Sequence, residues 1–507
     1  MVYRIISKRS RAISNGFYAG QIRSKSTVSQ RFTIAASHKA TQRQVLDEIS
    51  KHTSRATQRT YHETPGENGI AILASKDFTN WLEDEDFMSA FLGTLFKPSS
   101  AAEPKRPILH VLSGITDSIG PHRLSSEPRS GFSVLCGPTN NLLPELWAKE
   151  SFTGTSQDST SNVSFTTKPL IGNTGGLNIT LPLANTVFQN GRRSTLYASR
   201  WDINSEGSIR LRMRHPKTTQ VIVDNGSTVD HTSSIVPLLP LTLPRKIVAG
   251  LGNIVRQVEV DGTPTPASKE LEIIIPELFE DRARREPSYI PAPIGVWCWV
   301  IPPHLTGTKI FDNLQLFKAG CSQLESEIVQ GSMKLFSELL SSGCRLHKIL
   351  SGGGGWGAKQ GLLSLDPETS LSLPGQDDDM EMFIRSFEER NSAEPTSGLA
   401  TPGSSLLFCV EPRTTNAETL SNQVSAPAKT ALSFGVTRSS EYTRGPSPRP
   451  EPIEIIDDHF GISSATGLFL QTIPEFPVMI DGGSMGRGAT RGSFATKLDV
   501  PGAYFFS

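Results

Sequence analysis

The chain has few cysteines, no long apolar run and, at its start, no acid. Five cysteines in 507 residues (Cys136, Cys298, Cys321, Cys344 and Cys409) are odd in number, widely spread and without a CxxC pair. That excludes a disulfide framework and predicts reduced, mostly buried thiols. No stretch approaches the roughly 18 apolar residues that a membrane-spanning helix needs, so no span is expected. No serine occupies a G-x-S-x-G elbow. No repeat of fixed period occurs. Hydrophobic residues make up only 36% of the chain, whereas Gly and Pro together number 78. This composition predicts folded domains interrupted by long flexible loops.

The missing acids carry the firmest expectation. Arg4, Lys8, Arg9, Arg11, Arg23, Lys25, Arg31, Lys39 and Arg43 all precede the first acid, Asp47. Val2, Ile5, Ile6, Ile13 and Phe17 can share one helical face with the cations around it. This is the pattern of a mitochondrial transit peptide, assigned to residues 1–46, and it predicts a soluble protein of the matrix. Removing 1–46 leaves 41 basic residues against 50 acidic ones, a net charge of −9. A body this acidic argues against nucleic acid as a partner, because binding a polyphosphate rests on Lys and Arg. A local basic patch around Arg210, Arg212, Arg214, His215 and Lys217 is the exception.

Hydrophobic patterning predicts an α+β protein with mixed, largely antiparallel sheets, packed helices and two pseudo-domains. Gly69–Ser75 reads as a buried strand, Phe78–Phe96 as a helix and Ile108–Ile115 as a second strand, a β-α-β opening within an N-terminal α/β domain at 47–162. A β-rich domain with one long helix follows at 163–350. Its strands are expected at 208–214, 219–223, 246–260, 271–275 and 295–301. Asn190-Gly191 between β-prone arms predicts a tight hairpin over Thr186–Tyr197. Phe317, Cys321, Leu324, Ile328, Leu335 and Leu339 trace one helical stripe, capped by Asp312 and ending near Gly343 or just past Lys348. Residues 351–507 form a Gly/Pro-rich C-terminal region, with strands expected at 405–410, 431–436 and 467–471 and a docked Tyr504-Phe505-Phe506 end.

The stretch Gly252-Asn253-Ile254-Val255-Arg256-Gln257-Val258-Glu259-Val260-Asp261-Gly262-Thr263-Pro264, with Ala267 and Leu271, resembles a recurring segment of FIST-domain proteins. There a glycine-asparagine pair opens a strand, and an Asp-Gly-x-Pro turn leads to a helix whose Ala and Leu face inward. Asp261-Gly262 suits a turn and Pro264 the start of the next element. The resemblance covers about 20 of the 507 residues. The insert at 263–266 departs from the family's spacing, and its Cys- or Ser-containing strand end has no match in the N-terminal half. The resemblance implies a layered α/β sensory module that binds small ligands such as amino acids. It assigns no ligand residue and no cofactor.

Candidate chemistry concentrates in Ser351-Gly352-Gly353-Gly354-Gly355-Trp356-Gly357-Ala358-Lys359-Gln360-Gly361. Backbone amides of Gly352, Gly353, Gly354, Gly355 and Gly357 could cradle a phosphate, with charge from Lys359 and Trp356 nearby. A P-loop, however, requires Gly-Lys-Ser/Thr after a strand. Here Ala358 precedes Lys359, Gln360 follows it, and a helix is expected before the loop. The bland alternative is a structural loop with Trp356 packed on a neighbouring domain. Cys344 and His347, three apart on the expected helix, are too few for a zinc site. Asp377-Asp378-Asp379 with Glu381 lacks calcium-loop spacing. Asp457-Asp458-His459 could hold a general base or merely end a strand. Trp297-Cys298-Trp299 places both indoles on one side of a strand, as core packing would. No catalytic or metal set emerges. The leading expectation is a non-catalytic module that binds a small molecule or a mitochondrial protein complex. The alternatives are an accessory factor of mitochondrial gene expression, such as one associated with the ribosome, and a nucleotide-using enzyme built on the glycine loop.

Overall fold

The structure is a computed structural model that describes residues 30–56, 68–96, 108–121, 129–148, 160–167, 176–204, 208–224, 233–316, 324–352, 361–371, 399–413, 431–437, 452–473 and 494–506. The chain runs through β1 (Gln30–Ala35), α1 (Gln42–Ala56), β2 (Asn68–Ser75), α2 (Thr79–Glu83), α3 (Glu85–Leu95), β3 (Ile108–Thr116), β4 (Gly131–Pro138) and α4 (Thr139–Leu142). Next come β5 (Asn162–Thr167), β6 (Gly176–Pro182), α5 (Val187–Asn190), β7 (Leu196–Ile203), β8 (Ile209–Pro216), β9 (Thr219–Asp224), β10 (Ser233–Ile235) and β11 (Leu239–Pro240). The central part holds β12 (Arg245–Leu251), β13 (Ile254–Val260), β14 (Thr263–Pro266), α6 (Lys269–Arg285), β15 (Val296–Ile301), α7 (Lys309–Gln315), α8 (Glu325–Ser341), β16 (Arg345–Gly352) and β17 (Leu363–Leu365). The remainder adds β18 (Ser405–Val410), β19 (Leu432–Val436), β20 (Glu454–Asp457), β21 (Phe460–Ser464), β22 (Leu468–Ile473), β23 (Ala495–Leu498) and β24 (Tyr504–Phe506).

These elements make an α+β fold. A seven-stranded sheet has the order β20-β1-β4-β2-β3-β7-β8, antiparallel except for the β2–β3 pair. One face packs on α1–α3. Phe132 of β4 sits under Phe78, Trp81, Phe87 and Phe91, with ring centroids 4.6, 6.0, 6.2 and 5.8 Å away. Helices α1 and α3 start where side chains satisfy free backbone amides. Thr41 and Gln44 form a capping box, Gln44 Oε1 accepting from the Thr41 amide at 2.9 Å and Thr41 Oγ1 from the Gln44 amide at 3.3 Å. Asp84 accepts from the amides of Asp86 and Phe87, which splits the expected 78–96 helix in two. Its bond from Gln42, with these amides, holds the Asp84 carboxyl below its usual range.

The other face of that sheet meets a five-stranded sheet (β23-β22-β6-β5-β9) and a four-stranded one (β10-β24-β19-β21). Between them lies the largest core, including Leu112, Leu135, Phe165, Phe434 and Phe460. The expected docking of Tyr504-Phe505-Phe506 is seen: β24 pairs with β10 and β19. The remaining strands close a circuit, β15-β16-β17-β13-β12-β18 and back to β15, every pair antiparallel. This six-stranded barrel carries β11 and β14 as extra pairs. It encloses Val255, Val258, Cys298, Phe408 and Leu363.

Several expectations are corrected. Residues 30–35, within the expected 1–46 leader, form β1, which is inserted between β4 and β20 and buries Phe32 and Ile34. The acid-free stretch ahead of β1 is 1–29, and residues 30–507 hold 44 basic residues against 50 acidic, a net charge of −6. Sheet membership also crosses the divisions at 162 and 350: β7, β8 and β20 join β1–β4 in one sheet. Around Asn190-Gly191 the first arm is the helical turn α5, not a strand, and Gly191 (φ +75°) ends it in the left-handed region. Residues 271–275 lie in α6, because Leu271, Ile274, Ile275 and Leu278 meet the barrel at helical spacing that overrides the β-preference of three successive isoleucines. Thr308 rather than Asp312 caps α7, and α8 begins separately at Glu325; the stripe at Phe317 and Cys321 lies outside the described residues. Beyond Gly343 the chain is strand β16, not helix. Among the described residues no helix is long and apolar enough to cross a membrane.

Candidate functional site

The segment singled out as a turn builds the rim of an open cleft. Asp261 (φ +50°) and Gly262 (φ +77°) are the two central residues between β13 and β14, with Val260 opposite Thr263. Two consecutive positive φ angles make the turn that closes a two-residue hairpin, and only glycine adopts the second at no steric cost. Pro264 and Pro266 stand in β14, an edge strand where a missing N–H is tolerated, rather than at the start of a helix. Ala267 and Leu271 are buried in the barrel core. The Asn253 amide donates to the Leu365 carbonyl at 2.8 Å and ties this hairpin to β17.

The cleft measures about 570 Å³ and is bounded by Arg245, Lys246, Glu259, Asp261, Phe311 and Ser405, among others. Arg245 is committed to structure. Its Nε and Nη2 donate to Glu270 at 3.0 and 2.5 Å, a bidentate bond that raises the guanidinium above its ordinary value. Lys246 and Glu259 have no ion-pair partner among the described residues, and Lys246 and Asp261 are exposed. The rim therefore offers one ammonium and two carboxylates, with Phe311 as an apolar wall. Such a lining can hold a small ligand that carries both charges.

The glycine stretch follows strand β16, not a helix. Gly352 is exposed opposite Leu363; Gly353, Gly354, Gly355, Trp356, Gly357 and Lys359 lie outside the described residues. Its far end returns as the antiparallel strand β17, so the strand-to-helix passage of a P-loop is not present. Gly361 packs on Pro266, and its carbonyl accepts from the Ser268 amide at 3.2 Å. Gly361 is thus a neighbour of the β14 end of the Asp261-Gly262 hairpin.

A second titratable group joins the barrel to β23. Lys497 bonds to Asp366 at 3.1 Å and to Glu368; His347 Nδ1 lies 2.9 Å from the Asp366 carbonyl; Trp297 Nε1 donates to Asp499 at 2.7 Å. Burial pushes the His347 imidazole down and the Asp499 carboxyl up. The cluster is packed without room for a ligand. Cys344 and His347 project to opposite faces of the strand, Cys344 into the main core. Trp297 and Trp299 share one buried face, with Cys298 on the other. No group of three or more His, Cys, Asp or Glu suited to a metal occurs among the described residues, and Asp377–Asp379 and Glu381 lie outside them.

Asp457-Asp458-His459 is drawn apart. Asp457 pairs with His52 at 2.9 Å, Asp458 turns the chain at φ +58°, and His459 is 1% exposed between two sheets. Its Nδ1 lies 2.9 Å from Thr33 Oγ1 and its Nε2 3.3 Å from Ser433 Oγ, while Ser133 donates to the Gly461 carbonyl at 2.6 Å. These hydroxyls come from three distant strands, and nothing in their local sequence marks them. The network fixes how the sheets stack and opens on no cavity.

No protein-family profile matches the sequence, and no curated protein and no solved structure matches it either.

Proposed function

We propose that this chain is a non-catalytic, FIST-like ligand-binding module and that the cleft at the Asp261-Gly262 hairpin receives the ligand. The observation that carries this reading is that Lys246 and Glu259 have no ion-pair partner among the described residues and line about 570 Å³ of open space, beside Arg245, which Glu270 neutralises and Asp261 faces. Opposite charges across one small cleft suit a zwitterion, and a free amino acid is the simplest ligand of that class. The acid-free 1–29 segment supports import into the mitochondrial matrix.

Thermal denaturation of the full chain with a panel of free amino acids tests the binding. A ligand at about a hundred times its Kd stabilises by about 2.7 kcal/mol. The expected result is a shift with at least one amino acid that disappears in Lys246→Ala and in Asp261→Asn. No shift across the panel, or shifts unchanged in both variants, would overturn the reading. Targeting is tested separately by fusing residues 1–29 to a fluorescent protein; a cytosolic signal would remove the compartment.

A further inference from the structure

Strand β8 ends the seven-stranded sheet, and among the described residues it pairs with β7 alone. It carries Arg210, Arg212, Arg214 and His215, and Lys217 follows it. The register places Arg210 opposite Asp202, Arg214 opposite Ser199 and His215 opposite Ala198, so cations project from both faces of the edge. Arg200 of β7 adds a guanidinium stacked 5.0 Å over Trp147, its buried Nε without a hydrogen-bond partner. Acids do not balance this set. Asp202 reaches Arg212 at 3.7 Å in an exposed pair, and Glu83 is engaged by Tyr197 Oη at 2.7 Å and the Asn190 amide at 3.0 Å. Arg210 is exposed and has no ion-pair partner among the described residues.

Ser89 Oγ of α3 donates to the Ile209 carbonyl at 2.6 Å at the start of β8; beyond that residue the edge can offer N–H and C=O groups to an extended chain. A second copy of β8 would bring arginine against arginine, which like-charge repulsion opposes. The geometry points to a different occupant: an extended, acidic peptide segment of a partner protein that adds to β8 as an eighth strand. Arg214 is held inward, donating to the Glu83 carbonyl at 3.2 Å, so backbone bonds would supply the pairing and carboxylates facing Arg200, Arg210 and Arg212 the selectivity. A nucleic acid would meet the charges but leave the strand edge unused.

Fluorescence anisotropy on the full chain tests this with a labelled alternating Glu-Val octapeptide, a Lys-Val octapeptide and a Glu-Val octapeptide N-methylated at alternate residues. The acidic peptide is expected to bind, to weaken with salt, and to lose roughly tenfold or more in affinity in Arg210→Glu/Arg212→Glu. The Lys-Val and N-methylated peptides are expected not to bind. Because the N-methylated peptide keeps every charge, it tests strand pairing without any change to the protein. Equal binding of that peptide, no binding of the acidic one, or tighter binding of an oligoribonucleotide that the same variant abolishes would each overturn the proposal.

Discussion

The seven-stranded sheet and the six-stranded barrel solve the problem of strand edges in opposite ways. Among the described residues the sheet ends at β8, a strand rich in arginine, whereas the barrel closes its circuit through the β15–β18 pair. Their helices differ too. α3 buries Phe87, Met88, Phe91, Leu92 and Leu95 on the sheet, while α6 buries only Leu271 and Arg282 on the barrel. Deep apolar burial holds the first region; paired charge holds much of the periphery of the second. Arg282 donates to Glu325 at 2.7 and 3.0 Å and to the Glu411 carbonyl at 3.1 Å, locking α6 to α8 and to the end of β18. A rigid sheet suits a docking edge, and a barrel with a charged, open rim suits a small ligand.

The contrast can be broken most severely at β1. Deleting residues 1–46 should abolish cooperative unfolding followed by circular dichroism, because β4 and β20 lose the strand between them. Next in size, Phe132→Ala should cost about 3–5 kcal/mol in urea denaturation, since it empties the centre of four packed rings. Removing charge from the barrel should cost less. Glu325→Ala should destabilise by about 2–3 kcal/mol, below the figure for a fully buried pair because the Glu325 side chain keeps 19% of its surface in solvent.

Protonation gives a smaller effect. The folded His347 imidazole is held below its ordinary 6.5 by burial, so between those two values the unfolded chain binds the extra proton. This contribution is absent above about pH 6.5 and destabilises progressively as pH falls below it. His347→Gln should flatten the acid side of a melting-temperature profile; an unchanged profile would remove His347 from the account. Smallest of all, Cys136 and Cys344 are pushed up to about 12, and Cys298 and Cys409 also rise, all by burial. These four thiols should resist iodoacetamide at neutral pH, as peptide mapping would show, until denaturant exposes them.

Much of the fold could be read from local pattern. Gly69–Ser75, Phe78–Phe96 and Ile108–Ile115 became β2, α2 with α3, and β3, since a continuous apolar run or a helical stripe needs no distant partner to be recognised. Asp261-Gly262 was legible for the same reason: its turn is set by two adjacent φ angles. The cleft was only half legible. The hairpin could be located, but Arg245, Phe311 and Ser405, drawn from elements up to 160 residues apart, carry no shared signal in sequence. Of the two ends open to the helix, the one near Gly343 holds; Leu346 and Ile349 continue the apolar spacing of α8, and only pairing with β15 and β17 makes β16 a strand. The glycine stretch stayed the most conspicuous feature of the sequence, yet its described flanks belong to a hairpin.

The amino-acid sequence by itself determined which residues seek burial, where the chain turns, and that the first acid comes after nine basic residues. Tertiary structure alone decided that Gln30–Ala35 is part of a sheet, because a short mixed stretch holding Gln30, Arg31 and Thr33 carries no strong signal until β4 and β20 hydrogen-bond to both its edges. It likewise decided which charges are spent and which remain free. Whether an arginine is neutralised depends on the nearest carboxylate in space, and ion pairing falls off over a few ångströms regardless of how many residues separate the partners along the chain.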